Sequence, residues 1–158
     1  MADFSSEDSA RAAEAASRAQ GIEEPRRSRL RFTNLQFERT PAGRCTAAVE
    51  LEWMPGDTVT GRADGVASPL GDLRVVADAT LRAIELFLRR SVTLELIGVK
   101  TMRAFDANIV MVSVLANTPD GQRRLLGCHL SDEDLLRSAV VGTLQATNRV
   151  LGNAIATR

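Results

Sequence analysis

The single histidine, His129, directly follows Cys128, and the acidic run Asp132-Glu133-Asp134 begins three residues later. A thiol beside an imidazole could serve nucleophilic catalysis, and clustered carboxylates suit general acid–base work or a metal. The context argues against each. Residues 123–130 read as a strand, where neighbours point to opposite faces, so Cys128 and His129 do not meet as nucleophile and base. Acidic residues at a helix start more simply serve capping and the helix dipole. One histidine and two distant cysteines, Cys45 and Cys128, do not make a zinc set. No phosphate-binding loop, dinucleotide fingerprint or nucleophile elbow occurs. The chain is therefore expected not to be an enzyme: no catalytic residue, no metal and no cofactor. Its cysteines are expected to be buried thiols in a reducing compartment.

A different chemistry is offered by GRADGVASPLGD, residues 61–72. Gly61, Ala63 and Gly65 share one face of a strand, because side chains alternate, while Arg62 and Asp64 share the other. Glycine packs nothing and weakens a strand interior, so a bare face implies that something approaches closely. That something is either a helix packed tightly on the sheet or a small molecule. In the second case backbone amides and the start of the following helix would suit a carboxylate. Gly127 stands at the matching place before the last helix.

These motifs sit in a chain of 158 residues and 17.1 kDa, 44% hydrophobic and 25% charged, with a net charge of +0. That composition supports one domain with a sizeable core and supplies no field to gather nucleic acid or acidic membranes. No apolar run is long enough to span a bilayer, and the first residues lack the apolar core of a signal peptide, so the expected location is the cytoplasm. Residues 1–28, rich in Ala, Ser, Glu and Arg, read as a mobile tail; 29–158 form the domain. The cluster Arg26, Arg27, Arg29 and Arg31 reads as a solvated linker.

From residue 30 the pattern is strand-like. Strands are expected over 30–39, 45–53 and 59–65, separated by Pro-Ala-Gly and Pro-Gly-Asp turns. Asp72 then caps a helix to about residue 89, with Val76, Ala79, Thr80, Ala83, Ile84 and Phe87 as its buried stripe. Strands follow at 92–96, 108–116 and 123–130. The stretch 108–116 is apolar on both faces, so it is central in a sheet or lies at an interface. Ser131 caps the last helix, which runs to about residue 151. The order is strand-strand-strand-helix, twice. Residues 79–83 (ATLRA) align with 142–146 (GTLQA), and at the same offset Leu73 meets Leu136 and Leu88 meets Leu151. The expected fold class is therefore α+β: a duplicated βββα unit with pseudo-twofold symmetry, mainly antiparallel sheets packed on two helices.

The segments GRADGVASPLGDLRVVADATLRA, AFDANIVMVSV and GCHLSDEDLLRSAVVGTLQATNR resemble the C-terminal regulatory domain of 2-isopropylmalate synthase. Related domains occur in homologous acyl-transferring synthases such as citramalate synthase. The resemblance spans about residues 44–152. Gly61, Ala63, Gly65 and Pro69 stand for the family's glycine-rich stretch, Asp106-Ala107 for its Asp-Ala strand opening, and Gly127 for its later Gly-x-Gly strand. Asn148-Arg149 matches the end of its last helix. Ala63 occupies the place of the middle glycine, and His129 that of the second glycine in the later motif. The resemblance implies a duplicated domain that dimerises and binds an end-product amino acid, here standing alone without the catalytic barrel. It places a ligand at Gly61, Ala63, Gly65, Asp106, Ala107, Gly127 and His129.

Two functions follow. The first is a non-catalytic regulatory or binding domain, a homodimer taking an amino acid or short carboxylate. The second is a structural protein that uses the same fold to join an assembly or a protein partner, without a ligand. Neither involves nucleic acid or a membrane.

Overall fold

The computed structural model describes residues 30–156. The element order is β1 (Arg31–Arg39), β2 (Arg44–Met54), β3 (Asp57–Val66), α1 (Pro69–Phe87), β4 (Thr93–Ala104), β5 (Ala107–Thr118), β6 (Gly121–Ser131) and α2 (Leu135–Ala156). The strands make two separate antiparallel sheets, β1-β2-β3 and β4-β5-β6. The α+β class and the repeated strand-strand-strand-helix order are thus those the sequence implies. The residues of the expected tail, and Arg26, Arg27 and Arg29 of the basic cluster, lie outside the described residues. No described helix is long and apolar enough to cross a membrane.

Turn chemistry sets each hairpin. Pro55-Gly56 joins β2 to β3, with Gly56 at φ +84°; proline followed by a positive-φ glycine is the type II signature. Between β4 and β5 only Phe105 and Asp106 intervene, at φ +54° and +60°. Two successive positive φ values make the primed turn that matches strand twist, an uncommon conformation for a bulky residue such as phenylalanine.

Helix ends differ from expectation. Ser68, not Asp72, caps α1: its backbone is extended and its hydroxyl accepts from Gly71 N–H at 2.8 Å. Pro69 fits the first helical position because the amide it lacks would have no helical partner there. Asp72 lies in the first turn, buried. Likewise Ser131 ends β6 instead of capping α2; the Asp134 carboxylate accepts from Arg137 N–H at 3.0 Å. In both cases the strand or cap shifts by about one helical turn, within which several Ser and Asp residues compete.

The core lies where the helices meet the sheets. Cys45, Ala47, Val49 and Leu51 of β2 and Val110, Val112, Val114 and Ala116 of β5 point inward, all buried. Helix α1 packs on β2 and β3, on α2 and on β4 of the other sheet; α2 packs on β5 and β6. The buried hydroxyls of Thr80, Thr143 and Thr147 donate to the carbonyls of Val76, Ala139 and Thr143, one turn back, so their burial leaves no orphan donor. The strand 108–116 is central in its sheet, as β5. The expected strand 92–96 is much longer: β4 continues to Ala104 past a bulge at Ile97, which breaks the alternation that would have marked it.

Candidate functional site

The bare faces of β3 and β6 are occupied by helix backbone. A Cβ on Gly61 would lie 2.1 Å from Ala79 O and 2.3 Å from Ala83 N. On Gly127 it would lie 2.0 Å from Gly142 O and 2.4 Å from Ala146 N. Each glycine therefore lets a helix sit directly on the strand, with small residues four apart on the helix side. At Gly65 the neighbour is softer, the Val75 side chain at 2.6 Å.

The residues named for a ligand fall in different surroundings. Gly61 and Ala63 are buried on the helix-facing side of β3, and Gly65 is half-buried beyond them. His129 is half-buried on the same face of β6 as Gly127, with Nδ1 3.2 Å from Ser138 Oγ. Asp106 is exposed in the β4–β5 turn, and Ala107 opens β5 opposite Ala104. Near them Ser131, opposite Asn108, buries a hydroxyl with no partner among the described residues. The metal-ligating side chains make no cluster: no group of three or more His, Cys, Asp or Glu that could hold an ion occurs among the described residues.

Among the glycines named for a ligand, the one beside a cleft is Gly65. It lines a cleft of about 730 Å³ between the end of β3, the first turns of α1 and the start of β4, with Ser68, Arg74, Asp78, Glu95 and Leu96. Asp78 pairs with Arg82 at 3.1 Å, whereas Arg74 of α1 and Glu95 of β4 make no ion pair with the described residues. The cleft thus offers one uncommitted cation and one uncommitted anion on different walls, with Leu94 and Leu96 between the strands as apolar lining. The amide of Gly71 is already satisfied by Ser68, so charge recognition here falls to side chains. Sequence reasoning missed Arg74 and Glu95, because nothing in local pattern brings the start of β4 beside the start of α1.

A second polar group is structural in character. Arg39 Nε donates to Asp72 Oδ2 at 2.9 Å and Nη2 donates to the same oxygen, tying the end of β1 to α1. That hydrogen bond and the Asp72 charge hold the Arg39 pKa above its usual value. Burial first, and then the neighbouring Asp72 carboxylate, push the Cys45 thiol up, which makes it a poor nucleophile. Both cysteines are free thiols, but only Cys45 is buried; Cys128 is exposed, a correction to the expectation for both. It faces outward because alternation that sends Gly127 and His129 toward α2 sends Cys128 the other way.

The outward faces of the two sheets contrast. On the first sheet, charged and hydroxyl groups pair among themselves: Arg31 with Glu52 at 2.6 Å, Thr33 with Glu50 at 2.7 Å, Arg44 with Asp64. The Arg31 hydrogen bond, and then the Gly56 amide, lower the Glu52 pKa. On the second sheet the outward rows are Met102–Ile109–Leu130, Lys100–Met111–Cys128, Gly98–Ser113–Leu126 and Glu95–Leu115–Arg124. Leu126 is 64% exposed, Leu130 50% and Met102 45%.

No model of a known protein family matches the chain, and no curated protein matches it significantly in sequence.

Proposed function

We propose that this chain is a non-catalytic, dimer-forming binding domain that takes an amino acid or short carboxylate in the cleft between β3, α1 and β4. The observation that carries this reading is that Arg74 and Glu95, neither ion-paired among the described residues, line one cleft of about 730 Å³. A guanidinium is suited to a carboxylate and a carboxylate to an ammonium, while Leu94 and Leu96 suit a short aliphatic part. The resemblance to the regulatory domain of 2-isopropylmalate synthase favours the same ligand class and a duplicated ancestry. Support for duplication comes from the matched contacts of Gly61 with Ala79 and Ala83, and of Gly127 with Gly142 and Ala146. The experiment is calorimetry and thermal shift against the common amino acids and short 2-oxo acids, repeated on Arg74→Ala. Saturable heat that the variant loses is the expected result. No heat and no shift with any member of the panel sinks the ligand reading.

A second reading, an association module with no ligand, is favoured by the outward face of the second sheet, where large apolar groups lie open to solvent. It predicts a stable assembly that the same panel of small molecules leaves unaltered.

A further inference from the structure

We infer that the outward face of β4-β5-β6 is the surface on which a second copy of this chain docks, around a twofold axis through Ser113. This rests on the dimer half of the reading above; it shares Glu95 with the ligand half, and Leu126→Glu, at a side chain outside the cleft, tells the two apart. Monomeric proteins rarely leave a contiguous apolar sheet face in water, and a polar outward face is what the first sheet shows. The face is apolar along its centre, on Ile109, Met111, Leu115 and Leu126, and Phe105 extends it at one end, 91% exposed on a left-handed backbone.

The occupant follows from the charges. Three lie on this face, Glu95, Lys100 and Arg124, and none makes an ion pair with the described residues, whereas on the first sheet Arg31 pairs with Glu52 and Arg44 with Asp64. A face-to-face twofold has two aligned settings. With the axis along the strands, β4 lies over β6 of the second copy, and Glu95 meets its Arg124. With the axis across the strands, β4 lies over its own counterpart, and Glu95 meets Lys100 of the second copy. In either setting the only acid of the face lands on a base, and Ser113, small and flanked by Gly98, lands on itself at the centre where the sheets approach most closely. An isologous contact repeats each such pair twice. The face is self-complementary in charge as well as apolar, and a second copy is the partner it fits.

The test is sedimentation equilibrium on the full chain. The wild type is expected to be a dimer. Leu126→Glu, at a side chain already largely exposed, is expected to raise the dissociation constant on the order of a hundredfold or more by burying two acids. Glu95→Arg is expected to raise it on the order of tenfold, since two pairs turn repulsive. Adding Arg124→Glu to Glu95→Arg restores association if the axis follows the strands; adding Lys100→Glu restores it if the axis crosses them. Far-UV circular dichroism confirms that each variant is folded, and the charge swaps keep the test usable should Leu126→Glu misfold. A dimer untouched by both Leu126→Glu and Glu95→Arg overturns this surface and leaves the dimer reading standing. A monomeric wild type overturns both. Loss of the dimer with rescue by neither double variant overturns the twofold registration.

Discussion

A methyl group on Gly61 would sit 2.1 Å from the carbonyl oxygen of Ala79. Neither partner can yield, since one is strand backbone and the other helix backbone. Gly61→Ala and Gly127→Ala are therefore expected to cost at least the ~1–3 kcal/mol typical of overpacking. Gly65→Ala, opposed by the movable Val75 side chain, costs less, and Gly142→Ala, 3.3 Å from Val112 Cγ2, less again. Urea unfolding of the four variants gives the ranking. A Gly61→Ala protein as stable as wild type contradicts the packing.

The caps make a second prediction. Ser68→Ala and Asp134→Ala each remove the acceptor of a helix-start amide and should each cost about 1 kcal/mol. Ser131→Ala removes a buried hydroxyl that has no partner among the described residues and should be neutral or stabilising. Were Ser131 the cap, the order would reverse.

Stability should fall at both ends of the pH range for separate reasons. The folded Glu52 pKa is lowered, so its contribution is complete above the ordinary glutamate pKa of about 4.3 and is lost as pH falls through the folded value. The folded Cys45 pKa is raised, so its contribution is complete below the ordinary thiol pKa of about 8.5 and is lost as pH rises toward the folded value. Thermal melts across pH should show the acid limb flattened in Glu52→Gln and the alkaline limb flattened in Cys45→Ala. Unchanged limbs would refute these assignments.

The two thiols should separate under a thiol reagent. Exposed Cys128 reacts at once in dilute protein, while Cys45 waits for unfolding. If β4-β5-β6 is a dimer face, Cys128 is slowed as protein concentration rises through the dissociation constant. A Cys128 rate independent of concentration counts against burial in the dimer.

The repeated order of elements was legible because period-two runs such as Cys45 to Trp53 and the helical stripe from Val76 to Phe87 are long and uniform. The opposite faces of Cys128 and His129 followed from alternation alone. The caps were displaced because Ser68, Asp72, Ser131 and Asp134 all have capping side chains, and only the strand ends decide among them. The cleft was illegible: Arg74 and Glu95 lie in different elements, and their approach depends on how β4 returns beside α1. The sequence view of Gly61 left helix packing and ligand contact equally open; the position of Ala79 supplies the helix.

Among the described residues the two sheets share no hydrogen-bonded ladder. Side chains join the halves, with the Leu94 amide donating to Glu85 at 2.6 Å, and the covalent link is a short passage through Arg89 and Arg90, both left-handed. Such a molecule is divisible. A protease site placed between Arg89 and Arg90 and then cut should leave two fragments that co-elute and melt together, whereas fragments that separate on cutting would show that the link itself holds the halves in place.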